Sequence, residues 1–469
     1  MSLKNNGIGT QKATGAFYKS FFSMTLVIAL QNLLVFCVNL ADNVMIGKYN
    51  ELSLSGVSLV NQIQFLLQMI AMGLTNGLVV MASQYWGKRN VTPIKRIFSA
   101  VLPIGIAVSI VFFIAALMQP QGLLALLTDD TAVIDEGALY FEVVCFSYPF
   151  FVCSFIITGL LRSVETVKIG FYVSLVALFV NVGLNYCLIF GKLGFPELGV
   201  RGAAIATVTA RIVEFIIVCA YLAFADKKLG FKLRELFKWE GVYIKDYLRS
   251  GLPLCLSSTS WGLAMFLQTA IIGRLGQSAI AASSIATAIH QVASVVAYGT
   301  GSASSVIIGK EVGANRYDTA KLYAKKLQLL YLGVGAASAV LLFVLAKPIV
   351  AMYDVSEQTE ELSLEFIYIL CFALMGTAYQ MPCLTGIVSG GGSTRFVLFN
   401  DIIFMWCMVL PMSYLSAFVF KWSIPLTFFI LKSDQITKCT VAIVKVNRYK
   451  WIKQLTRDDA GDSVKASST

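Results

Sequence analysis

Apolar runs of membrane-crossing length follow one another along the whole chain. They cover residues 21–46, 53–82, 97–118, 138–161, 170–190 and 202–224, then 250–273, 280–309, 327–346, 364–388, 397–420 and 422–444. A helix of about 20 apolar residues crosses a hydrocarbon layer of about 30 Å. In lipid only helices and closed barrels satisfy their own backbone groups. Barrel strands would alternate apolar and polar at every second position, and these runs do not. The pattern predicts an all-α integral membrane protein of about twelve transmembrane helices. Pro103, Pro149, Pro253, Pro382, Pro411 and Pro425 fall in or near predicted spans, where the missing N–H bends the axis.

The runs fall into two sets of six. Residues 226–249 are charged and separate the sets as a linker. The expected division is an N-terminal segment 1–20, a six-helix lobe 21–225, the linker 226–249, a second six-helix lobe 250–446 and a basic tail 447–469. The halves also resemble each other. An offset of 226 residues carries Ile46-Gly47 onto Ile272-Gly273, Ile63 onto Ile289, Gly73 onto Gly299, Val80 onto Val306 and Gly87 onto Gly313. One residue out of step, Gly159 ahead of Arg162 and Lys168 matches Gly386 ahead of Arg395. Halves with an even number of spans keep the same orientation, so the repeats are parallel. Transporters built this way hold a site near the midplane that opens to each side in turn.

Composition agrees with a lipid solvent. Of 469 residues 57% are hydrophobic and 13% charged, where a soluble domain carries about a quarter charged. The net charge of +11 is unevenly placed. If the N-terminus is cytoplasmic, inside segments receive Lys4, Lys12, Lys19, Lys88, Arg89, Lys95, Arg96, Arg162, Lys168, seven basic residues from Lys227 to Arg249, then Lys310, Arg316, Lys321, Lys325, Lys326, Arg395 and the basic tail; outside segments receive only Lys48, Lys192, Arg201, Arg274, Lys347 and Lys421. This asymmetry predicts both termini in the cytoplasm of a cell inner (plasma) membrane protein. The acidic residues Asp129, Asp130, Asp135, Glu136 and Asp354 to Glu361 fall outside. Topology and anionic lipid account for the positive charge, so no nucleic acid is expected. The ten cysteines sit singly among apolar residues without metal-ligand spacing, as small buried hydrophobes do. No cleavage pattern follows the first run, which is read as a retained helix.

Ionisable side chains inside spans are rare and are functional candidates. Asp42 lies late in the first run, in Asn39-Leu40-Ala41-Asp42-Asn43. A carboxylate in a low-dielectric bundle seeks a proton or a cation; the alternative is a cap at the outer interface. Asn181 and Asn185, four apart, share a helix face. With Asn39 and Thr207 their oxygens would complete a hard-cation site, or else simply join helices. Asn61, Gln64 and Gln68 form a polar stripe on the second helix, fit for a cavity wall. His290 is read as a proton relay or as a hydrogen-bonded interior residue. Arg211 and Glu214 are expected to pair, and Lys432, Asp434 and Lys438 make the last span polar, softened by an Asp434–Lys438 pair.

These residues carry a resemblance. Gln31-Asn32 ahead of Asp42-Asn43-Val44-Met45-Ile46-Gly47, Gly159-Leu160-Leu161-Arg162, Asn181 through Asn185, Gly199-Val200-Arg201-Gly202-Ala203-Ala204, Gly251-Leu252-Pro253 and Gly309-Lys310-Glu311-Val312-Gly313-Ala314 resemble multidrug and toxic compound extrusion (MATE) transporters of bacterial type. The resemblance implies two lobes in a V around a central cavity. It also implies H⁺- or Na⁺-coupled export of organic, often cationic, drug-like compounds with no other cofactor. Asp42 and Asn181 would belong to the cation site, including any Na⁺ site. Asn185 stands where many members have Asp. Trp261 and Ala378 stand where one branch has Glu and Asp, Asp401 resembles a feature of another branch, and the proline common in the first helix is absent near Val27. Trp261, Asp401 and His290 join the candidate cavity lining. The expected working unit is a monomer in the bilayer. Rival readings are a lipid-linked precursor flippase, which would want several basic residues in its cavity, and a membrane-embedded enzyme, for which no HExxH or GxSxG motif is present.

Overall fold

The computed structural model describes residues 5–351 and 355–457. Asp354 and residues 458–469 of the basic tail lie outside this range. The described residues form α1 (Asn5–Tyr49), α2 (Glu51–Gly87), α3 (Val91–Met118), α4 (Thr131–Ser163), α5 (Lys168–Ile189), α6 (Gly199–Ala225), α7 (Leu252–Gly273), α8 (Gln277–Gly313), α9 (Tyr317–Val350), α10 (Glu357–Val388), α11 (Thr394–Val419), α12 (Ile424–Leu431) and α13 (Asp434–Asn447). No strand occurs among them. The first eleven are long and apolar enough to cross a membrane.

The twelfth predicted span is the exception. It is broken at Lys432-Ser433 into α12 and α13. The break turns the Lys432 ammonium inward, where it donates to Gln268 of α7 at 3.2 Å. The prolines act locally. Pro149 follows a tight turn at Cys145–Ser147 that kinks α4, and Pro382 opens a widened π turn over Pro382–Val388 in α10. Such insertions are common causes of sharp helix bends.

The internal repeat is visible in the fold. α2 and α8 are both 37 residues long, and their ends are offset by 226 at both termini. Each pairs its own lobe with the other: α2 packs on α7 and α8, and α1 packs on both α5 and α8. Close approach needs small residues, which membrane helix interfaces favour. A Cβ on Gly77 would meet Gly251 at 2.7 Å, and one on Gly299 would meet the Thr25 carbonyl at 2.8 Å. Gly87 lies against the backbone of Lys310, and Gly313 against that of Gln84.

These contacts lie toward the end where Lys88, Lys95, Lys228 and Lys310 gather, here termed the basic end. Farther along α2, Ser58, Asn61 and Gln62 are exposed. The lobes are thus joined at the basic end. The linker lies across that end too: Lys95 and Arg96 of α3 hold Glu235 and Glu240 at 2.9 and 2.7 Å, and Tyr247 donates to the Leu74 carbonyl at 2.9 Å. The segment after α13 adds a strap. Trp451 is fully buried, and the Lys453 amide donates to the Gly391 carbonyl at 2.7 Å. Gln84 of α2 donates to Gly390 and Lys453 carbonyls and accepts from the Leu455 amide. Arg457 then closes on Asp246 of the linker at 2.6 Å. The first eleven residues of the expected tail, 447–457, are therefore built into the structure.

Candidate functional site in the N-terminal lobe

One small cavity collects most of the candidates. It is lined by Asn39, Asp42, Asn43, Asn61 and Gln64 from α1 and α2, Tyr140 from α4, Ser174 and Asn181 from α5, and Thr207, Arg211 and Glu214 from α6. Its volume of about 40 Å³ is that of a site for a small ion or a few waters, since about 10–15 Å³ of such volume already holds one water.

The hydrogen bonds run inward from the carboxylate. Asn185 Nδ2 donates to Asp42 Oδ1 in a short contact and to Asn181 Oδ1 at 3.3 Å. Asn181 Nδ2 in turn faces Thr207 Oγ1 at 3.4 Å, and the Tyr140 hydroxyl also meets Thr207. The spacing of four on α5 makes this possible, because such residues stack on one face. Asn181 and Asn185 are 1% and 0% exposed, whereas Asp42 is only partly covered. Asn185 Oδ1 and Asn43 Oδ1 are buried without a partner.

Charge bookkeeping is the decisive property here. Arg211 is held by Glu214 at 2.8 Å and lies over the Phe151 ring at 5.0 Å. Two carboxylates, Asp42 and Glu214, thus face one guanidinium. The cavity is short of one positive charge, and it offers oxygens from Asp42, Asn181 and Thr207, with the orphaned Asn185 carbonyl one turn farther along α5. That donor set suits a hard monovalent cation such as Na⁺, and the carboxylate alone suits a proton.

Other candidates lie elsewhere. Gln68 is half-buried on α2 outside this cavity. His290 faces Ser294 one turn on in α8, at 3.3 Å. Trp261 packs against Phe65 across the lobe boundary, with ring centroids 6.4 Å apart. Ala378 is buried in α10. Asp401 pairs with Lys438 at 3.0 Å and accepts a short hydrogen bond from Ser257. The Asp434–Lys438 pair forms at 3.4 Å. Tyr140 and Ser174 had not been singled out from sequence; a tyrosine within the apolar fourth run was the available signal.

An all-helical, multi-pass bundle of two parallel repeats, each enclosing polar groups, defines a membrane transporter. Comparison with known proteins makes this specific. The MatE family profile matches residues 28–187 and 253–415, one stretch in each lobe, and the chain belongs to the MatE family. It is 24% identical over 412 residues to the probable multidrug resistance protein YoeA of Bacillus subtilis, covering 86% of this chain and 88% of that protein. In fold it is similar to the Vibrio cholerae MATE transporter VcmN, with a TM-score of 0.85 at 19% identity, covering 95% and 99% of the two chains. A MOP superfamily transporter from Pyrococcus furiosus aligns with a TM-score of 0.83 at 19% identity, covering 93% and 96%.

Proposed function

We propose that the protein exports organic, often cationic, small molecules across a cell inner membrane in exchange for H⁺ or Na⁺, with Asp42, Asn181 and Asn185 as the coupling site. The observation that carries this reading is an ion-sized cavity short of one positive charge. An unmatched carboxylate is costly in a low-dielectric bundle, so a proton or Na⁺ at Asp42 stabilises whichever lobe arrangement keeps the cavity closed around it. Asp42 and Asn181 would hold Na⁺, and Asn39 and Thr207 complete the polar wall. Substrate, far too large for about 40 Å³, binds between the lobes, where Asn61 and Gln62 are exposed. Coupling is then a difference in affinity between two states. The positive-inside rule puts the basic end in the cytoplasm, so the arrangement described here faces outward.

Relatives named as probable multidrug resistance proteins support this substrate class. A flippase is less well supported, because Lys438 inside the C-terminal lobe is already paired with Asp401 and Asp434, and Lys432 donates to Gln268 with Asp434 nearby. The test is export of a cationic dye from proteoliposomes under imposed H⁺ or Na⁺ gradients. Wild type is expected to transport, and folded Asp42→Asn to lose gradient-dependent transport altogether. Unimpaired transport by that variant would remove Asp42 from the mechanism.

A further inference from the structure

A second cavity is larger than the ion-sized one. It is a crevice of about 770 Å³ at the basic end, walled by both lobes: Lys168 and Tyr172 of α5, Lys228 of the linker, Phe17 of α1, and Lys310 and Tyr323 of α8 and α9. The proposed exchange leaves it without a role, since it lies apart from Asp42.

Its chemistry is that of an anion site with an apolar flank. Each lysine ammonium carries three donors. Lys228 spends two on the carbonyls of Val164 and Glu165, at 2.7 and 3.0 Å. Lys310 reaches across from the other lobe and spends two on the Glu165 carboxylate, both at 2.8 Å. One donor remains on each. Lys168 is exposed at the rim. Glu311, the other acid in the wall, is taken by Arg316 at 2.7 and 2.9 Å; with Asp226 near Lys228, four cations stand against three carboxylates. The Thr166 hydroxyl, also in the wall, is buried without a partner. Burial lowers the Lys228 pKa, against the pull of Glu165 and Asp226; an incoming anion would relieve that cost.

The crevice also leads into an apolar lane. Tyr172, Val176 and Phe179 follow at helical spacing on α5 and are 58%, 39% and 70% exposed; on α1, which packs beside α5, Phe22 and Leu26 are 51% and 60% exposed. In a bilayer this strip faces acyl chains. Polar headgroup site and acyl lane are continuous, and basic pockets between helices at a membrane's cytoplasmic side are suited to anionic lipid headgroups.

We propose that this crevice binds the phosphate headgroup of an anionic phospholipid, with one acyl chain lying along Tyr172, Val176 and Phe179. Because Lys168 and Lys228 belong to one lobe and Lys310 to the other, the lipid bridges the lobes and favours the arrangement closed at the basic end. This depends on the protein spanning a membrane and not on ion coupling at Asp42.

Purified full-length protein in detergent, exposed to equal concentrations of phosphatidylglycerol and phosphatidylcholine, tests it by native mass spectrometry. Phosphatidylglycerol is expected to be retained at least five-fold over phosphatidylcholine. Lys168→Glu combined with Lys228→Gln should cut that retention at least five-fold, while Lys325→Glu, an exposed lysine of α9 outside the crevice, should leave it unchanged. The thermal midpoint provides a second readout: phosphatidylglycerol should raise it in wild type and in Lys325→Glu but not in the crevice double variant. Equal retention of the two lipids overturns the proposal, as does retention insensitive to the crevice lysines. Displacement of the lipid by equimolar glycerol 3-phosphate or inorganic phosphate also overturns it, in favour of a soluble phosphate ligand.

Discussion

The two lobes repeat one fold but handle buried charge in opposite ways. Offsets of 226 and 227 carry Asp42 onto Gln268, Thr207 onto Asp434 and Arg211 onto Lys438. In the N-terminal lobe Asp42 and Glu214 share the single cation Arg211, and the cavity is left one positive charge short. In the C-terminal lobe the position of the acid is held by a neutral Gln268, which accepts from Lys432. Lys438 lies between Asp401 and Asp434 at 3.0 and 3.4 Å, with the Lys432 charge close enough to act on Asp434. Two acids face two tethered ammoniums, and the account closes. The difference teaches how one fold yields a lobe whose acids outnumber its cations and a lobe that carries its own counter-charges.

The largest expected effect comes from breaking the balanced lobe. Lys438 is 3% exposed and Asp434 1%, so Lys438→Met strands buried carboxylates. Removing one partner of a buried pair costs about 3–5 kcal/mol. The thermal midpoint in detergent should fall sharply. Adding Asp434→Asn to Lys438→Met should recover at least half of the loss, because Asp401 and Lys432 then balance. A Lys438→Met protein as stable as wild type would show that the C-terminal cluster is solvated and that the comparison is misdrawn.

How much of this contrast could be read from sequence depends on chain separation. The bundle, the repeat and the gathering of basic residues were legible, since span length and charge recur locally. So were Asp42 with Asn181 and Asn185: an acid in an apolar run and two amides one turn apart announce a shared polar face. Arg211 with Glu214 and Asp434 with Lys438 were legible for the same reason. The Asp401–Lys438 contact was not. It joins helices 37 residues apart and forms only because the last span breaks at Lys432-Ser433, which hydropathy alone reads as continuous. The strap was hidden too: Gln84 meets Leu455 across 371 positions, and the residues after Asn447 read as a solvated basic tail. Buried Trp451, beyond the last apolar run, was the overlooked signal.

A second way to sharpen the contrast is to balance the unbalanced lobe without touching Asp42. Glu214→Gln removes one of the two acids facing Arg211, and the freed guanidinium, already in the same cavity, becomes the counter-ion of Asp42. The N-terminal lobe would then resemble its partner. The apparent affinity for the coupling cation should fall at least ten-fold, a change of about 1.4 kcal/mol, with folding preserved. The measurement is dye export against cation concentration in proteoliposomes. Unchanged cation dependence would mean that charge count does not set coupling and that Asp42 acts through local geometry alone.

The smallest effect compares matched hydrogen bonds. Asn181 lies beside the carboxylate, accepts from Asn185 at 3.3 Å and faces Thr207 at 3.4 Å. In Asn181→Ala the bond from Asn185 to Asp42 survives, but the cavity loses an oxygen that a cation would use. One such interaction is worth about 0.5–1.5 kcal/mol. Half-maximal transport should therefore need about two- to ten-fold more cation, with the maximal rate little changed. Ser257 is the partner case, since it donates to Asp401 in the other lobe. Ser257→Ala removes a bond of the same order, yet the Lys438 ammonium still neutralises Asp401, so stability should drop by about 1 kcal/mol while cation dependence stays at the wild-type value. Both variants belong in one titration. A shift in cation dependence for Ser257→Ala equal to that of Asn181→Ala would place coupling in both lobes, and the tethered ammonium could no longer be regarded as a permanent substitute for the ion.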